Sequence, residues 1–177
     1  GLPAMGRLWA HAAPALMQHL AKEEEMLFPW IVALDQGRLD PGTRAELRRS
    51  DFEIRADTAF SEVVRACGGR RDTWITKEII ASYELLHKMG YAHSVETWRG
   101  GRLVGGLYGV SIGGAFFGES MFSNGAAGSK AALVWLMEHL KSRGYTLHDT
   151  QWTTPHLSLF GGHEIPRDDY LRLLEKA

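Results

Sequence analysis

The chain has 177 residues, of which 45% are apolar, which is enough for one continuous hydrophobic core. Its formal net charge is −1, so no strong overall field favours nucleic acid, and any RNA must be bound by local basic patches. The single cysteine, Cys67, excludes an internal disulfide and a multi-cysteine metal site, and it fits a reducing cytoplasm. We expect neither a signal peptide nor a membrane helix, because no apolar run reaches roughly 18–20 residues.

The N-terminal segment is predicted to be helical over residues 8–27, where apolar residues recur near helical spacing. His19 and Glu23 stand four residues apart and so share one helical face, which is the spacing of a metal-ligand pair. Such a site needs further ligands from other helices, and no matching second pair is present. A solvated helical face is therefore the preferred interpretation.

A linker is predicted over residues 34–50, where turn residues surround the basic stretch Arg44 to Arg49. A second small basic cluster lies near Cys67. The simplest interpretation of both clusters is a solvated face. The alternative is contact with phosphates, which gains weight only if an RNA partner is argued independently.

The chain from Phe52 onward is predicted to alternate strands and helices. Asp57-Thr58 is expected to cap a helix that runs to about Cys67, and Thr76 to cap the next helix. Three strands joined by short turns follow and predict an antiparallel meander. The predicted strands are 52–55, 92–98, 103–110, 115–122 and 146–152. Two of the predicted helices end at residues 67 and 89, and two more span 129–143 and 170–176. A loop is predicted at 155–162.

This order, with a helix and a further strand after the meander, predicts an α+β fold. We expect an N-acyltransferase-like (GNAT-like) mixed sheet flanked by helices, preceded by a small helical N-terminal segment. The predicted division is an N-terminal helical segment and linker at 1–48 and a GNAT-like domain at 49–177.

One carboxylate, Glu119, stands in an apolar strand directly after Gly118. Glycine in a strand marks a bulge or a close backbone approach, so Gly105, Gly106 and Gly118 are predicted to flank one wall of a cleft. A carboxylate in an apolar setting must find a partner, coordinate something or stay protonated. Glu119 either binds a cationic substrate, or caps the following segment or pairs with a local arginine.

A second polar pair, Asp149 and Gln151, alternates on a predicted strand, so the two side chains are expected to share a face. Together they could orient and polarise an attacking amine. A solvated pair at a strand end explains the pattern equally well.

An ordered set of motifs resembles the bacterial leucyl/phenylalanyl-tRNA–protein transferases over roughly residues 51–176. The motifs are Trp74-Ile75-Thr76 with Tyr83, Gly90 to Glu96, Val104 to Gly109, Phe117 to Ser123 with Ser129-Lys130, Asp149-Thr150-Gln151, and Glu164 to Arg167. The N-terminal region is shortened or divergent: Phe28-Pro29-Trp30 is present, but the family's Trp-Trp-Ser-Pro block does not follow it.

The resemblance implies transfer of leucine or phenylalanine from tRNA to the α-amine of a protein that begins with Arg or Lys, which marks that protein for N-end rule degradation. The partners implied are leucyl- or phenylalanyl-tRNA and such acceptor proteins, in the cytoplasm, with no membrane, no DNA, and no metal or cofactor required. Phosphates would be contacted by basic residues: Lys22, Arg44, Arg48, Arg49, Arg65, Arg70 and Arg71.

Residue roles are also implied by the resemblance. Gln151, supported by Asp149, orients the amine or relays its proton, and Glu119 lies at the reacting centre. Trp74 and Tyr83 bind the 3′-terminal adenosine by stacking and hydrogen bonding. An apolar aminoacyl pocket is assigned to Leu107, Leu133, Leu136 and Leu140.

Two other functions are compatible with the sequence. The first is an acetyl-CoA-dependent N-acetyltransferase, although the glycine-rich stretch Ser123 to Gly128 lacks the leading Gln or Arg of the usual pyrophosphate loop. The second is a non-catalytic binder of basic N-termini.

Overall fold

The computed structural model describes residues 31–34, 42, 45, 47, 50–69, 73–125, 127–151 and 154–177. The predicted helix over 8–27, with His19 and Glu23, lies outside these residues. So do six of the seven basic candidates for phosphate contact: Lys22, Arg44, Arg48, Arg49, Arg70 and Arg71. The seventh, Arg65, forms an ion pair with Glu84 at 2.8 Å between Nη2 and Oε1.

The described strands are β1 (Ile31–Leu34), β2 (Glu53–Ala56), β3 (Ala92–Arg99), β4 (Arg102–Ile112), β5 (Ala115–Ser123), β6 (Leu147–Asp149) and β7 (Gly162–Ile165). The described helices are α1 (Phe60–Cys67), α2 (Lys77–Lys88), α3 (Gly128–Ser142), α4 (Pro155–Ser158) and α5 (Arg167–Lys176).

The main sheet has five strands in the order β2-β3-β4-β5-β6. Strands β3, β4 and β5 form the predicted antiparallel meander, and β6 pairs parallel to β5 after the crossover helix α3. The predicted α+β class with a mixed sheet is therefore confirmed. A separate antiparallel pair joins β1 to β7, so part of the segment predicted as N-terminal pairs with the C-terminal region. The division at residues 48/49 stays a prediction.

The two faces of the sheet carry separate hydrophobic cores. Tyr108 packs with α1 and α2 on one face, whereas the preceding residue, Leu107, packs with α3 on the other. Neighbouring residues of a strand point to opposite faces, so both sides of β4 are covered and its residues 105–109 are buried. Full burial of a large apolar side chain contributes about 1.5–3 kcal/mol, which makes this central strand a main source of stability.

The start of α1 differs from the prediction. Residue Ala59 is its N-cap and makes no side-chain capping bond, so Asp57-Thr58 does not cap the helix. The first amides are instead reached by a carboxylate from β3: Glu96 accepts hydrogen bonds from the backbone N–H groups of Thr58 and Ala59. A partner 37 or 38 residues away is invisible to local pattern rules. At α2 the prediction is confirmed, because the Thr76 side chain accepts from the Ile79 N–H.

Two predictions near the C-terminus were wrong. The strand expected over 146–152 ends at Asp149, and the loop expected at 155–162 contains helix α4 and the first residue of β7. Helix α4 begins after Thr154, whose hydroxyl accepts from the Leu157 N–H. Strand β7 exists because β1 pairs with it, and a partner about 130 residues distant in the chain leaves no local signal.

None of the helices in the described part of the chain is long and apolar enough to cross a membrane.

Candidate active site

The principal cleft forms where the pairing of β5 and β6 ends. These strands pair only from Ala115 to Phe117 and from Leu147 to Asp149. Beyond that point β5 continues, whereas the segment that follows β6 turns away from it. A cavity of about 260 Å³ lies between the two segments. Its apolar lining is Trp74, Leu107, Met121, Leu133 and Leu157; its other lining residues are Tyr108, Gly118, Glu119, Ser120, His148, Thr150, Gln151 and Thr154.

The polar centre of this cleft is formed by Glu119 and Gln151. The amide Nε2 of Gln151 donates to Oε2 of Glu119 at 3.4 Å. One wall contributes a carboxylate and the opposite wall an amide, in a cavity that is otherwise mainly apolar. This contact places Gln151 beside Glu119 across the cleft, and the alternatives of a cap or an arginine partner for Glu119 stay predictions.

The backbone of Gln151 has a φ of +68°, which non-glycine residues adopt uncommonly. This conformation places Gln151 beyond the end of β6, so the expectation that Asp149 and Gln151 share a strand face is wrong. The two residues are nevertheless connected, because the Gln151 N–H donates to Oδ1 of Asp149 at 2.8 Å. Asp149 is 7% exposed and does not line the cavity. Asp149 therefore stabilises the turn that presents Gln151.

One of the three glycines predicted to flank the cleft lines it. A Cβ on Gly118 would lie 3.3 Å from the Asp149 carbonyl oxygen, so this glycine permits close packing of the two walls. Gly105 and Gly106 have a different role. A Cβ on Gly105 would lie 2.4 Å from the Gly128 carbonyl carbon, and one on Gly106 would lie 2.8 Å from the Val95 carbonyl oxygen. They bring α3 and β3 against β4.

The four leucines assigned to the aminoacyl pocket separate into two pairs. Leu107 and Leu133 line the cleft. Leu136 and Leu140 are buried further along α3 and line a second cavity of about 230 Å³ near the beginning of β5. The structure does not bring these two residues to the cleft, because α3 runs away from it along the sheet, and their place in an aminoacyl pocket stays a prediction. Met121 and Leu157 complete the apolar wall instead.

The two aromatic residues assigned to adenosine also separate. Trp74 lines the cleft and is partly buried against the core formed with α1 and α2. Tyr83 has no exposed surface and packs edge-to-face on Tyr108, with ring centroids 5.0 Å apart. The structure does not bring Tyr83 to the cavity, because its position on α2 faces the core. Contact between Tyr83 and adenosine stays a prediction.

Two further cleft residues, His148 and Tyr108, were missed by the sequence reasoning. Burial lowers the pKa of His148 from the usual 6.5 to about 3, so the imidazole is neutral at physiological pH. Burial, followed by the nearby charge of Glu119, raises the pKa of the Tyr108 hydroxyl. Within the described part of the chain, neither the Tyr108 hydroxyl nor Nδ1 of His148 has a hydrogen-bond partner. Tyr108 belongs to the motif Val104 to Gly109, and His148 directly precedes the motif Asp149-Thr150-Gln151. These positions were the sequence signal that could have identified them.

No group of three or more His, Cys, Asp or Glu residues suited to a metal ion occurs among the described residues. The arrangement present offers a carboxylate, an amide and an aromatic ring beside an apolar pocket. These groups are suited to orienting an amine next to a carbonyl carbon and to binding an unbranched or γ-branched apolar side chain.

The mixed sheet splits beyond the β5–β6 pairing and places a carboxylate and an amide on facing walls of an apolar cleft. A family model described as leucyl/phenylalanyl-tRNA protein transferase matches residues 31–175. The leucyl/phenylalanyl-tRNA–protein transferase of Herpetosiphon aurantiacus is 51% identical over 148 residues, covering 83% of this chain and 78% of that protein. The protein of the same name from Rhizorhabdus wittichii is 50% identical over 151 residues, covering 83% and 61%. The chain belongs to this family, and the resemblance predicted from the motifs is confirmed.

Among solved structures, the chain is similar to a GCN5-related N-acetyltransferase-like protein from Streptococcus suis. The TM-score is 0.48 at 14% sequence identity, and the match covers 77% of this chain and 57% of that protein.

Proposed function

We propose that this protein transfers leucine or phenylalanine from aminoacyl-tRNA to the α-amine of proteins whose N-terminal residue is Arg or Lys, marking them for degradation in the cytoplasm. The observation that carries the proposal is the pairing of Glu119 with Gln151 across an apolar cleft. Membership of the leucyl/phenylalanyl-tRNA–protein transferase family supplies the reaction class.

The aminoacyl side chain is assigned to the apolar part of the cleft. Leu107 and Leu133 lie on one side of the cavity lining, with Met121 and Leu157 completing it. A cavity of about 260 Å³ provides space for a leucyl or phenylalanyl side chain. Specificity for an apolar side chain follows because a charged side chain would lose its hydration there without a matching partner.

The 3′-terminal adenosine is assigned to Trp74, the indole that lines the cleft. Stacking of a base on an aromatic ring contributes about 1–3 kcal/mol and does not depend on the sequence of the nucleic acid. The ester carbonyl, which joins the adenosine to the amino acid, would then lie between the indole and the apolar wall, near Glu119 and Gln151.

The reaction is attack of the acceptor amine on this ester. The nitrogen lone pair forms a bond to the carbonyl carbon, the carbon–oxygen bond to the ribose breaks, and a proton moves in net terms from the amine to the departing ribose oxygen. A neutral amide cannot act as a base near neutral pH, so Gln151 orients the amine by accepting a hydrogen bond through its Oε1. The Glu119 carboxylate attracts the cationic N-terminus and stabilises positive charge that develops on the nitrogen.

The deciding assay supplies labelled leucyl-tRNA and a peptide that begins with Arg. We expect label in the peptide, and none in a matched peptide whose N-terminus is acetylated, because that nitrogen is no longer nucleophilic. Absence of product with intact charged tRNA would overturn the proposal. Peptide binding without transfer would indicate a non-catalytic binder of basic N-termini.

The acetyltransferase alternative is tested by thermal denaturation with acetyl-CoA. A ligand that binds only the native state raises the melting temperature. We expect no stabilisation by acetyl-CoA, and clear stabilisation would favour an acetyl-CoA-dependent enzyme over an aminoacyl-tRNA-dependent one.

A further inference from the structure

Helix α5 has an unusual relation to the rest of the domain. Among its residues none is fully buried, so it adds little to either hydrophobic core. Its first turn nevertheless carries Tyr170, which is half-buried and whose hydroxyl donates to Oδ2 of Asp149 at 3.2 Å. This bond joins a peripheral helix to the carboxylate that stabilises the cleft turn.

The bond is one link in a series of hydrogen bonds. Tyr170 donates to one carboxylate oxygen of Asp149, and the other oxygen accepts from the Gln151 N–H at 2.8 Å. The Gln151 amide then donates to Glu119 across the cleft. Only the last two residues line the cavity, so Tyr170 and Asp149 act on the cleft through Gln151.

The geometry of Gln151 explains why such support is needed. Its backbone φ of +68° is strained for a residue that has a Cβ. Such a conformation persists only when surrounding contacts impose it. The Asp149 carboxylate can impose it only while its own rotamer is fixed. With one oxygen on the Gln151 N–H and the other on the Tyr170 hydroxyl, rotation of that carboxylate breaks both bonds.

We propose that Tyr170 is a positioning residue for aminoacyl transfer: its hydroxyl fixes the Asp149 carboxylate, which holds Gln151 in the conformation that presents its amide to the acceptor amine. The kinetic consequence of this inference rests on the proposed function. Its structural consequence, the fixing of Asp149 and Gln151, is independent of that function. Burial, followed by the charge of Asp149 and then by this hydrogen bond, raises the pKa of the Tyr170 phenol.

The test is Tyr170→Phe, which keeps the ring and its packing and removes only the hydroxyl. We expect kcat for leucyl transfer to fall about tenfold, the usual size for a lost bond to a charged group, while the KM values for tRNA and peptide stay within about twofold. The matched control is Tyr91→Phe, which removes the hydroxyl of a tyrosine that is 46% exposed and outside the cleft lining. It should behave as wild type.

A double-mutant cycle separates positioning from a general structural effect. If Tyr170 acts through Gln151, then adding Tyr170→Phe to Gln151→Ala should cause no further loss of kcat. If the double variant lost kcat by the product of the two single losses, the proposal would be overturned. A Tyr170→Phe enzyme with wild-type kcat would overturn it as well.

A structural measurement decides the matter even if the wild-type protein transfers nothing, an outcome that would overturn the proposed function alone. The Gln151 backbone N–H should exchange with solvent more rapidly in Tyr170→Phe than in wild type, whereas Tyr91→Phe should leave its protection unchanged. Equal protection of the Gln151 N–H in wild type and Tyr170→Phe would show that the phenol does not fix Asp149, and the inference would fail.

Discussion

Two glutamates on the two strands that flank β4 illustrate how the same side chain serves different purposes. Glu96 on β3 is completely buried and accepts from the Thr58 N–H and hydroxyl, the Ala59 N–H and the Ser94 hydroxyl. Glu119 on β5 is half-buried, lines the cleft and accepts a long bond from Gln151. The first carboxylate is surrounded by hydrogen-bond donors that belong to the fold itself. The second faces space that a ligand can enter.

The difference shows that burial of a carboxylate is not by itself a sign of function. Charges buried among good donors are structural, because their hydrogen bonds replace the water that they lose. A carboxylate that lines a cavity is instead accessible to a ligand that enters it. Substitutions at the two sites should therefore affect different measurable quantities.

The largest effect should come from Glu96→Ala. Removing the acceptor leaves buried donors at the start of α1 without a partner, so the free energy of unfolding should fall by ~3 kcal/mol. Chemical denaturation measures this change. Glu96→Gln retains one acceptor oxygen and should lose less. If Glu96→Ala were as stable as wild type, the role of Glu96 as a remote cap of α1 would be wrong.

Glu119→Ala should show the opposite behaviour. We expect kcat/KM for leucyl transfer to fall about 100-fold, or roughly 2.7 kcal/mol of transition-state stabilisation, with little change in stability. Gln151→Ala should have a similar effect. Steady-state kinetics with labelled leucyl-tRNA, beside denaturation of the same samples, measures both quantities. Wild-type rates in folded variants would remove these residues from the reaction.

Trp74→Ala should raise the KM for leucyl-tRNA about tenfold, because stacking on the terminal base is lost. Tyr83→Phe is the informative comparison. It removes the hydroxyl of a ring that has no exposed surface and should leave that KM unchanged. Titration of both variants with leucyl-tRNA distinguishes them. A tRNA defect in Tyr83→Phe would show that this residue reaches the adenosine after all.

The smallest effect concerns the pH dependence of the region around Glu96. The Asp57 carboxylate accepts from Nδ1 of His93 at 2.8 Å, and this bond raises the pKa of His93 above its usual 6.5. Burial would raise the pKa of Asp57, but its hydrogen bonds from His93 and the Ser94 N–H lower it below 3.8 overall.

The sign of the pH effect follows from these shifts. The contribution of His93 is complete below pH 6.5 and is lost as pH rises through its raised native pKa. The contribution of Asp57 is complete above pH 3.8 and is lost as pH falls through its lowered native pKa. The stability deficit of His93→Ala should therefore be greatest between these values and smaller at pH 9. A deficit that does not vary with pH would exclude this ion pair as its cause.

The sequence by itself determined the family and those elements whose signals are local. Apolar periodicity predicted α2 and α3, glycine-containing turns predicted the β3-β4-β5 meander, and Thr76 marked the start of α2. These features depend on interactions within a few residues, which local patterns record directly. The ordered motifs identified the family, and the resemblance that they carry named Glu119 and Gln151 as site residues.

Only the tertiary structure decided how these residues are arranged. The contact between Glu119 and Gln151 spans 32 residues. Gln151, with its φ of +68°, donates its N–H to Asp149, which also accepts from Tyr170, 21 residues away in the chain. Periodicity placed Leu136 and Leu140 on the same stripe as Leu133, but the direction of α3 across the sheet leaves only Leu133 at the cleft. Contacts between distant segments decide which of several equivalent side chains lines the cavity. The residue pattern within one segment does not contain this information.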